Sequence, residues 1–181
     1  MRDPKAIARC LRDIAFFLDL KGESPCRIRA YEQAARTIEA RAGELAARIE
    51  GGALTALDGI GPRIERVVTE LWFGDRTTYL DTLRDEVPDG VVALAAIRGI
   101  GPRRAMALYR MLDITRREEL LDACEQHRVR GLRGFGPATE ARLHDAVGSW
   151  FASRSPRPSE VPRDDPQLRL PLSDEAHARG G

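Results

Sequence analysis

The chain has 181 residues, with 29 Lys and Arg against 28 Asp and Glu for a formal net charge of +1, and it is 43% hydrophobic, 31% charged and 6% aromatic. That length suits one compact unit or two small ones and excludes a large multidomain machine. Apolar runs fall far short of the roughly 20 residues a membrane span needs, and the near-neutral charge leaves any nucleic-acid case to rest on where the basic residues sit.

In chain order, the first 22 residues break up their apolar positions with Arg and Asp, so they lack a signal-peptide core and a cytoplasmic location is expected. Asp3-Pro4 opens a helix with Ile7, Leu11, Ile14 and Leu18 on one stripe, and Ser24-Pro25 opens a second with Ile28, Tyr31, Ala35 and Ile38. A short segment around Leu45 and Ile49 ends at Gly51-Gly52. A helix over Thr78 to Asp85 stops before Pro88, and Thr115 with Glu118 reads as a capping box ahead of Leu120 and Leu121. No alternating stretch is long enough for a strand, so the fold class expected is all-α, built from short helices.

From residue 153 to 181 the chain carries five of its 11 prolines, balanced charges and no helical period, which predicts a flexible tail. Cys10, Cys26 and Cys124 are odd in number and far apart, which indicates neither a disulfide framework nor a zinc site; they are expected to be small buried residues. Trp72, Tyr109 and Trp150 read as core. Only Lys5 and Lys21 are lysines; the remaining cations are arginines, suited to bidentate phosphate contacts or to a coding sequence rich in G and C.

The decisive feature is an internal repeat. LTALDGIGPRIERVV (54–68), LAAIRGIGPRRAMALY (94–109) and LRGFGPATEARL (132–143) share an apolar lead-in, a Gly-hydrophobic-Gly-Pro turn and a new amphipathic helix. Gly59, Gly61, Gly99 and Gly101 permit backbone angles and approaches that a Cβ would block, Pro62 and Pro102 preset the next helix, and Ile60 and Ile100 are expected to point inward as anchors. The first amides of that next helix lack intrahelical partners and sit at the positive end of its dipole, so a phosphate oxygen can complete them. Arg63, Arg103 and Arg104 fall in the first helical turn, where a cation costs about 0.3–1 kcal/mol unless an anion arrives. The third copy has Ala138 in place of that arginine, with Arg133 and Arg142 nearby, so Gly134 and Gly136 serve either phosphate contact or packing.

The run LKGESPCRIRAYEQAARTIE, followed by LDGIGPRIERVV, VPDGVVALAAIRGIGPRRAMALY and LRGFGPATEARL, resembles the N-terminal region of bacterial family X DNA polymerases, relatives of DNA polymerase beta, over about residues 4–148. The resemblance implies a helical domain with the first hairpin (1–87) that grips the 5′-phosphate side of a DNA gap. A helix-hairpin-helix, fingers-like domain (88–152) would follow, holding duplex DNA by its backbone. It places DNA contacts at Arg27, Arg29, Tyr31, Arg63, Arg66, Arg103 and Arg104 and at the turn amides. It also implies that no cofactor is required, with an optional Na+ or K+ held by main-chain carbonyls of Thr55, Leu57 and Ile60, and of Ala95, Ile97 and Ile100.

Nothing after residue 152 offers the palm domain that polymerisation in this family requires, so polymerisation by this chain alone is not expected. Some relatives remove a 5′-deoxyribose phosphate through a Schiff-base lysine, and that position here is Val67. Valine has no amine and arginine stays protonated, so an enzyme is not expected. His127, His144 and His177 are isolated, and no HExxH, GxSxG or Walker-type loop occurs.

In the tail, Gln167, Leu168, Leu170, Pro171 and Leu172 lie in an apolar island, QLRLPL, similar to the peptide by which bacterial replication and repair proteins bind the sliding clamp. The expected function is structure-selective DNA binding at gaps, nicks or 5′-phosphorylated ends, without sequence readout, in repair or replication. The alternatives are a residual lyase using another amine, a clamp-binding adaptor, or the DNA-binding subunit of a split family X polymerase.

Overall fold

In the computed structural model, which describes residues 3–154, the chain enters its first helix through Asp3, whose carboxylate accepts the Lys5 amide at 3.0 Å. Helix α1 (Pro4–Lys21) ends at Gly22 in the left-handed region, φ 78°. Helix α2 (Pro25–Ala40) is capped by Ser24. The two pack side by side, and both predicted stripes are buried: Ile7, Leu11, Ile14 and Leu18 from α1 meet Ile28, Tyr31, Ala35 and Ile38 from α2. Each such aliphatic side chain contributes about 1.5–3 kcal/mol when fully buried.

The remaining helices are α3 (Leu45–Glu50), α4 (Pro62–Phe73), α5 (Thr78–Asp85), α6 (Asp89–Ala95), α7 (Gly101–Leu112), α8 (Arg117–Glu125) and α9 (Pro137–Arg154). No strand occurs among the described residues, and no helix there is long and apolar enough to cross a membrane. The fold is all-α. Helices α6 and α7 pair, as do α8 and α9, while α1 packs on α5 and α7 as well as α2, which seats the helix after the second glycine turn against the N-terminal helices. Gly90 in α6 permits that unit's tightest approach: a Cβ there would lie 2.3 Å from the Thr115 carbonyl oxygen.

Several expectations are corrected. The residue that closes the start of α8 is Glu119, not Glu118. Its carboxylate accepts the amides of Thr115 (2.9 Å) and Arg116 (3.1 Å), because the helix begins at Arg117 and only its third residue can reach back. Of the cysteines, Cys124 is buried, Cys10 half-buried and Cys26 exposed, since Cys26 lies on the outer face of α2's first turn. Trp72 is buried, but Tyr109 and Trp150 are only partly so, and the Arg117 guanidinium lies 4.4 Å from the Trp150 ring centre. Helix α9 runs to Arg154, past the boundary expected at 152. The QLRLPL island lies outside the described residues.

Candidate nucleic-acid interface

The three Gly-hydrophobic-Gly-Pro segments fold into one backbone form. In the first, the Leu57 amide donates to the Leu54 carbonyl at 3.0 Å and the Ile60 amide to the Leu57 carbonyl at 3.1 Å. The second repeats this with Ile97 to Leu94 and Ile100 to Ile97, and the third with Leu132 to Val129 and Phe135 to Leu132, all at 3.0 Å. Between the linked residues sits a glycine at positive φ in every copy: Gly59 (80°), Gly99 (94°) and Gly134 (88°), a region costly for any residue with a Cβ. Ile60, Ile100 and Phe135 are buried at 4%, 4% and 3% exposure, and each anchors its turn to the core.

The second glycines differ. Gly101 adopts φ 67°, whereas Gly61 has φ −88° and a Cβ there would meet open space, so the conformational demand expected at Gly61 is absent. Gly59, Gly61, Gly99, Gly134 and Gly136 are exposed and Gly101 is half-exposed. Among the described residues none of these six amides has an acceptor. At the start of α4, α7 and α9 they therefore present unpaired N–H groups at a positive helix end, the arrangement that binds a phosphate oxygen.

The first turn is braced by α2: the Thr37 hydroxyl donates to the Asp58 carbonyl at 2.9 Å, and a Cβ on Gly59 would lie 2.8 Å from Cγ of Gln33. Thr55, Leu57 and Ile60 line one open cleft with Gly59 and Gly61. In the second turn, Ile97 is half-buried, and Ala95 and Ile100 are buried. The Leu57 and Ile97 carbonyls each accept one turn amide, which leaves a second lone pair on each.

The arginines beside the turns fare differently. Arg63 and Arg66 are exposed on α4. Arg103, expected to be an uncompensated cation, instead donates to Asp19 of α1 at 2.7 Å, because α7 docks on α1. Arg104 donates to the Gly99 carbonyl at 2.8 Å and lies 5.8 Å from the centre of the Phe135 ring, linking the second turn to the third. Arg29 folds back on its own helix, with Nε 3.3 Å from the Pro25 carbonyl, and does not join the cluster around Tyr31.

That cluster brings Arg27, Tyr31 and Arg63 together around Tyr79. Arg27 donates to the Tyr79 hydroxyl at 2.7 Å and pairs with Glu23 at 3.0 Å, while the Tyr31 and Tyr79 rings stack 6.1 Å apart. Tyr31 is 2% exposed and its hydroxyl has no hydrogen-bond partner; neither has Nε of Arg27. Burial pushes the Tyr31 phenol up to about 12, and the adjacent Tyr79 adds to this while Arg27 and Arg63 oppose it. The hydroxyl therefore stays protonated at neutral pH. Beside the cluster a cleft is lined by Arg63, Arg66, Glu70, Thr78, Tyr79 and the buried Val67.

In the third hairpin, Glu140 of α9 is 3% exposed and accepts from the Arg130 amide (2.8 Å) and guanidinium (2.7 Å), with Nδ1 of His127 at 3.2 Å. Burial pushes its carboxyl up, but Arg130 and His127 outweigh that and hold it below the usual range. Sequence reading missed three partners: Asp19, Tyr79 as the bridge to Arg27, and Glu140. Of these only Glu140, in the first turn of a repeat helix, carried a visible signal.

Residues 2–74 match a family described as a helix-hairpin-helix domain, and residues 91–148 one described as a SAM-like helix-hairpin-helix tandem. The chain is 35% identical over 144 residues to the DNA polymerase/3'-5' exonuclease PolX of Bacillus subtilis (strain 168), a match that covers 80% of this chain and 25% of that protein. The matched region thus spans a quarter of the relative's length. The chain thus matches a helix-hairpin-helix domain followed by a helix-hairpin-helix tandem, and it resembles the N-terminal region of family X DNA polymerases.

Proposed function

We propose that this chain grips the sugar-phosphate backbone of DNA at gaps, nicks or 5′-phosphorylated ends, without reading base sequence, in repair or replication. Both helix-hairpin-helix matches and the resemblance to PolX support DNA binding. The observation that carries the finer reading is the threefold turn: each copy exposes unpaired amides at a helix start, and such contacts position a protein on phosphates while carrying no base information. Preference for a 5′ phosphate rests on Arg27 and the exposed Arg63, whose guanidinium groups offer charge-assisted hydrogen bonds to a doubly charged terminal group, with Tyr31 buried behind them.

The adjacent cleft, which shares Arg63 and Tyr79 with the cluster, carries Val67 where the Schiff-base lysine would stand, so the reading is binding without Schiff-base chemistry. A Na+ or K+ ion held by the Thr55, Leu57 and Ile60 carbonyls, and by their counterparts at Ala95, Ile97 and Ile100, would bridge turn and phosphate. The Leu168, Leu170 and Leu172 island is assigned to sliding-clamp docking, to be read by pull-down of the clamp with and without those leucines.

The test is a titration of 5′-phosphorylated gapped DNA, plain duplex and single strands at several salt concentrations. The gap should bind tightest, with affinity falling steeply as salt rises because phosphate contacts release counterions. Failure to bind DNA, or affinity insensitive to salt, overturns the proposal.

A further inference from the structure

Helices α1 and α2 and the start of α7 form a cavity of about 370 Å³, within the size range of small-ligand sites. Its floor is apolar: Ala15 and Ile28 are buried, and Pro102 and Phe16 are half-buried. Phe16 meets the buried Phe17 ring edge to face, with centroids 5.6 Å apart and planes at 86°, which fixes the ring at the cavity. Ile28 and Glu32 directly follow Arg27 and Tyr31 on α2, and Pro102 directly follows Gly101 of the second turn. The cavity therefore lies between the cluster assigned to the 5′ phosphate and the second hairpin.

The rim selects the occupant by charge. Arg12 is neutralised by Glu39, with Nη1 2.9 Å from Oε1, and Asp19 by Arg103 at 2.7 Å. That leaves Glu32 and Arg36, an acid and a base one helical turn apart on α2 and both exposed. Arg36 donates to the neutral Gln33 amide oxygen at 3.0 and 3.2 Å. Among the described residues no hydrogen bond or ion pair reaches the Glu32 carboxylate. A phosphate placed here would face that free carboxylate. A flat, uncharged group with both donors and acceptors fits instead, stacking on Phe16 while Arg36 and Glu32 meet its edge, and a nucleobase has that chemistry.

We infer that this cavity holds an unpaired base from the strand opposite a DNA gap, so that Phe16, Glu32 and Arg36 make the chain selective for gaps over nicks. This rests on the DNA-binding reading above and adds a contact to bases that the turn amides do not make. A base inside a duplex is stacked on both faces and paired along its edge. Only an unstacked nucleotide presents a face and an edge together. Stacking tolerates any base, so the contact reads the presence of an unpaired nucleotide and not its sequence.

The test uses the full chain and 5′-phosphorylated DNA carrying a nick, a short gap, or the same gap with abasic sites in the unpaired strand. The wild type should bind the gap about tenfold more tightly than the nick or the abasic gap, the order of effect of one base–aromatic stack. Phe16→Leu keeps an apolar side chain and removes the aromatic face. It should bring gap affinity down to that of the nick, leave the nick unchanged, and relieve the quenching of a fluorescent adenine analogue placed in the unpaired strand. Glu32→Ala, at an exposed position, should lower the gap-to-nick ratio about threefold by losing one edge hydrogen bond, even though removing an acid favours DNA in general.

Equal binding of the gap and the abasic gap by the wild type, or an unchanged gap-to-nick ratio in either variant, overturns the inference while the DNA-binding reading stands. A parallel fall in nick and gap binding by Phe16→Leu assigns the ring to the fold and overturns it as well. If the wild type binds none of the three DNAs, both readings fall.

Discussion

Arg103, in the first turn of α7, donates to the Asp19 carboxylate of α1 at 2.7 Å, across 84 positions of sequence. The pair ties the second hairpin to the N-terminal helices and neutralises a cation beside an exposed turn. Asp19→Asn should free that charge, raise affinity for duplex DNA about two- to fivefold and steepen the salt slope by about 0.9. An exposed pair of this kind contributes only about 0–1 kcal/mol, so the melting temperature should barely move. Unchanged DNA binding by fluorescence anisotropy would show that Arg103 does not face phosphate.

Tyr31 sets stability against function. Its hydroxyl is buried without a partner, which costs about 1–3 kcal/mol. Tyr31→Phe should therefore raise the melting temperature by several degrees while lowering discrimination between 5′-phosphorylated and unphosphorylated gaps. A variant that melts earlier than the wild type would mean the hydroxyl is satisfied in the folded protein.

Gly90 is required by packing rather than by its backbone angles. A methyl group there meets the Thr115 main-chain oxygen at 2.3 Å, and neither α6 nor the 114–115 segment can yield as a flexible side chain would. Gly90→Ala should destabilise the chain by about 1–3 kcal/mol, the range for overpacking, despite alanine's better helix propensity. Thermal denaturation followed by circular dichroism gives the sign directly.

Acid should loosen the start of α8. The Thr115 amide, the Arg116 guanidinium and the Arg116 amide pull the Glu119 carboxyl down from 4.5 to about 2. Since the folded value lies below the unfolded one, the stability this group contributes is present above about pH 4.5 and is lost as pH falls towards about 2. Glu119→Gln should remove that part of the acid-induced decline. Melting curves for both proteins between pH 2 and 6 should converge at the acid end, and parallel curves would contradict the assignment.

Much of this protein was legible in its residues because the governing rules are local. The stripes of α1 and α2 follow from a period of 3.6, and the caps at Asp3 and Ser24 from side chains meeting amides two or three residues on. The three turns follow from glycines at a fixed offset, with Ile60 and Ile100 as anchors; the structure adds Phe135 in the third. One residue of error at Glu118 against Glu119 marks the limit of that local reading: it identifies a cap but not which residue begins the helix. Tertiary structure alone decided the partners of the charged groups. Arg27 reaches Tyr79 across 52 positions, Arg103 reaches Asp19 across 84, and Arg98 and Arg142 share a cavity only because the second turn packs against α9. Periodicity says which face of a helix is buried, but a long flexible guanidinium takes whichever partner the packing of distant helices brings within reach.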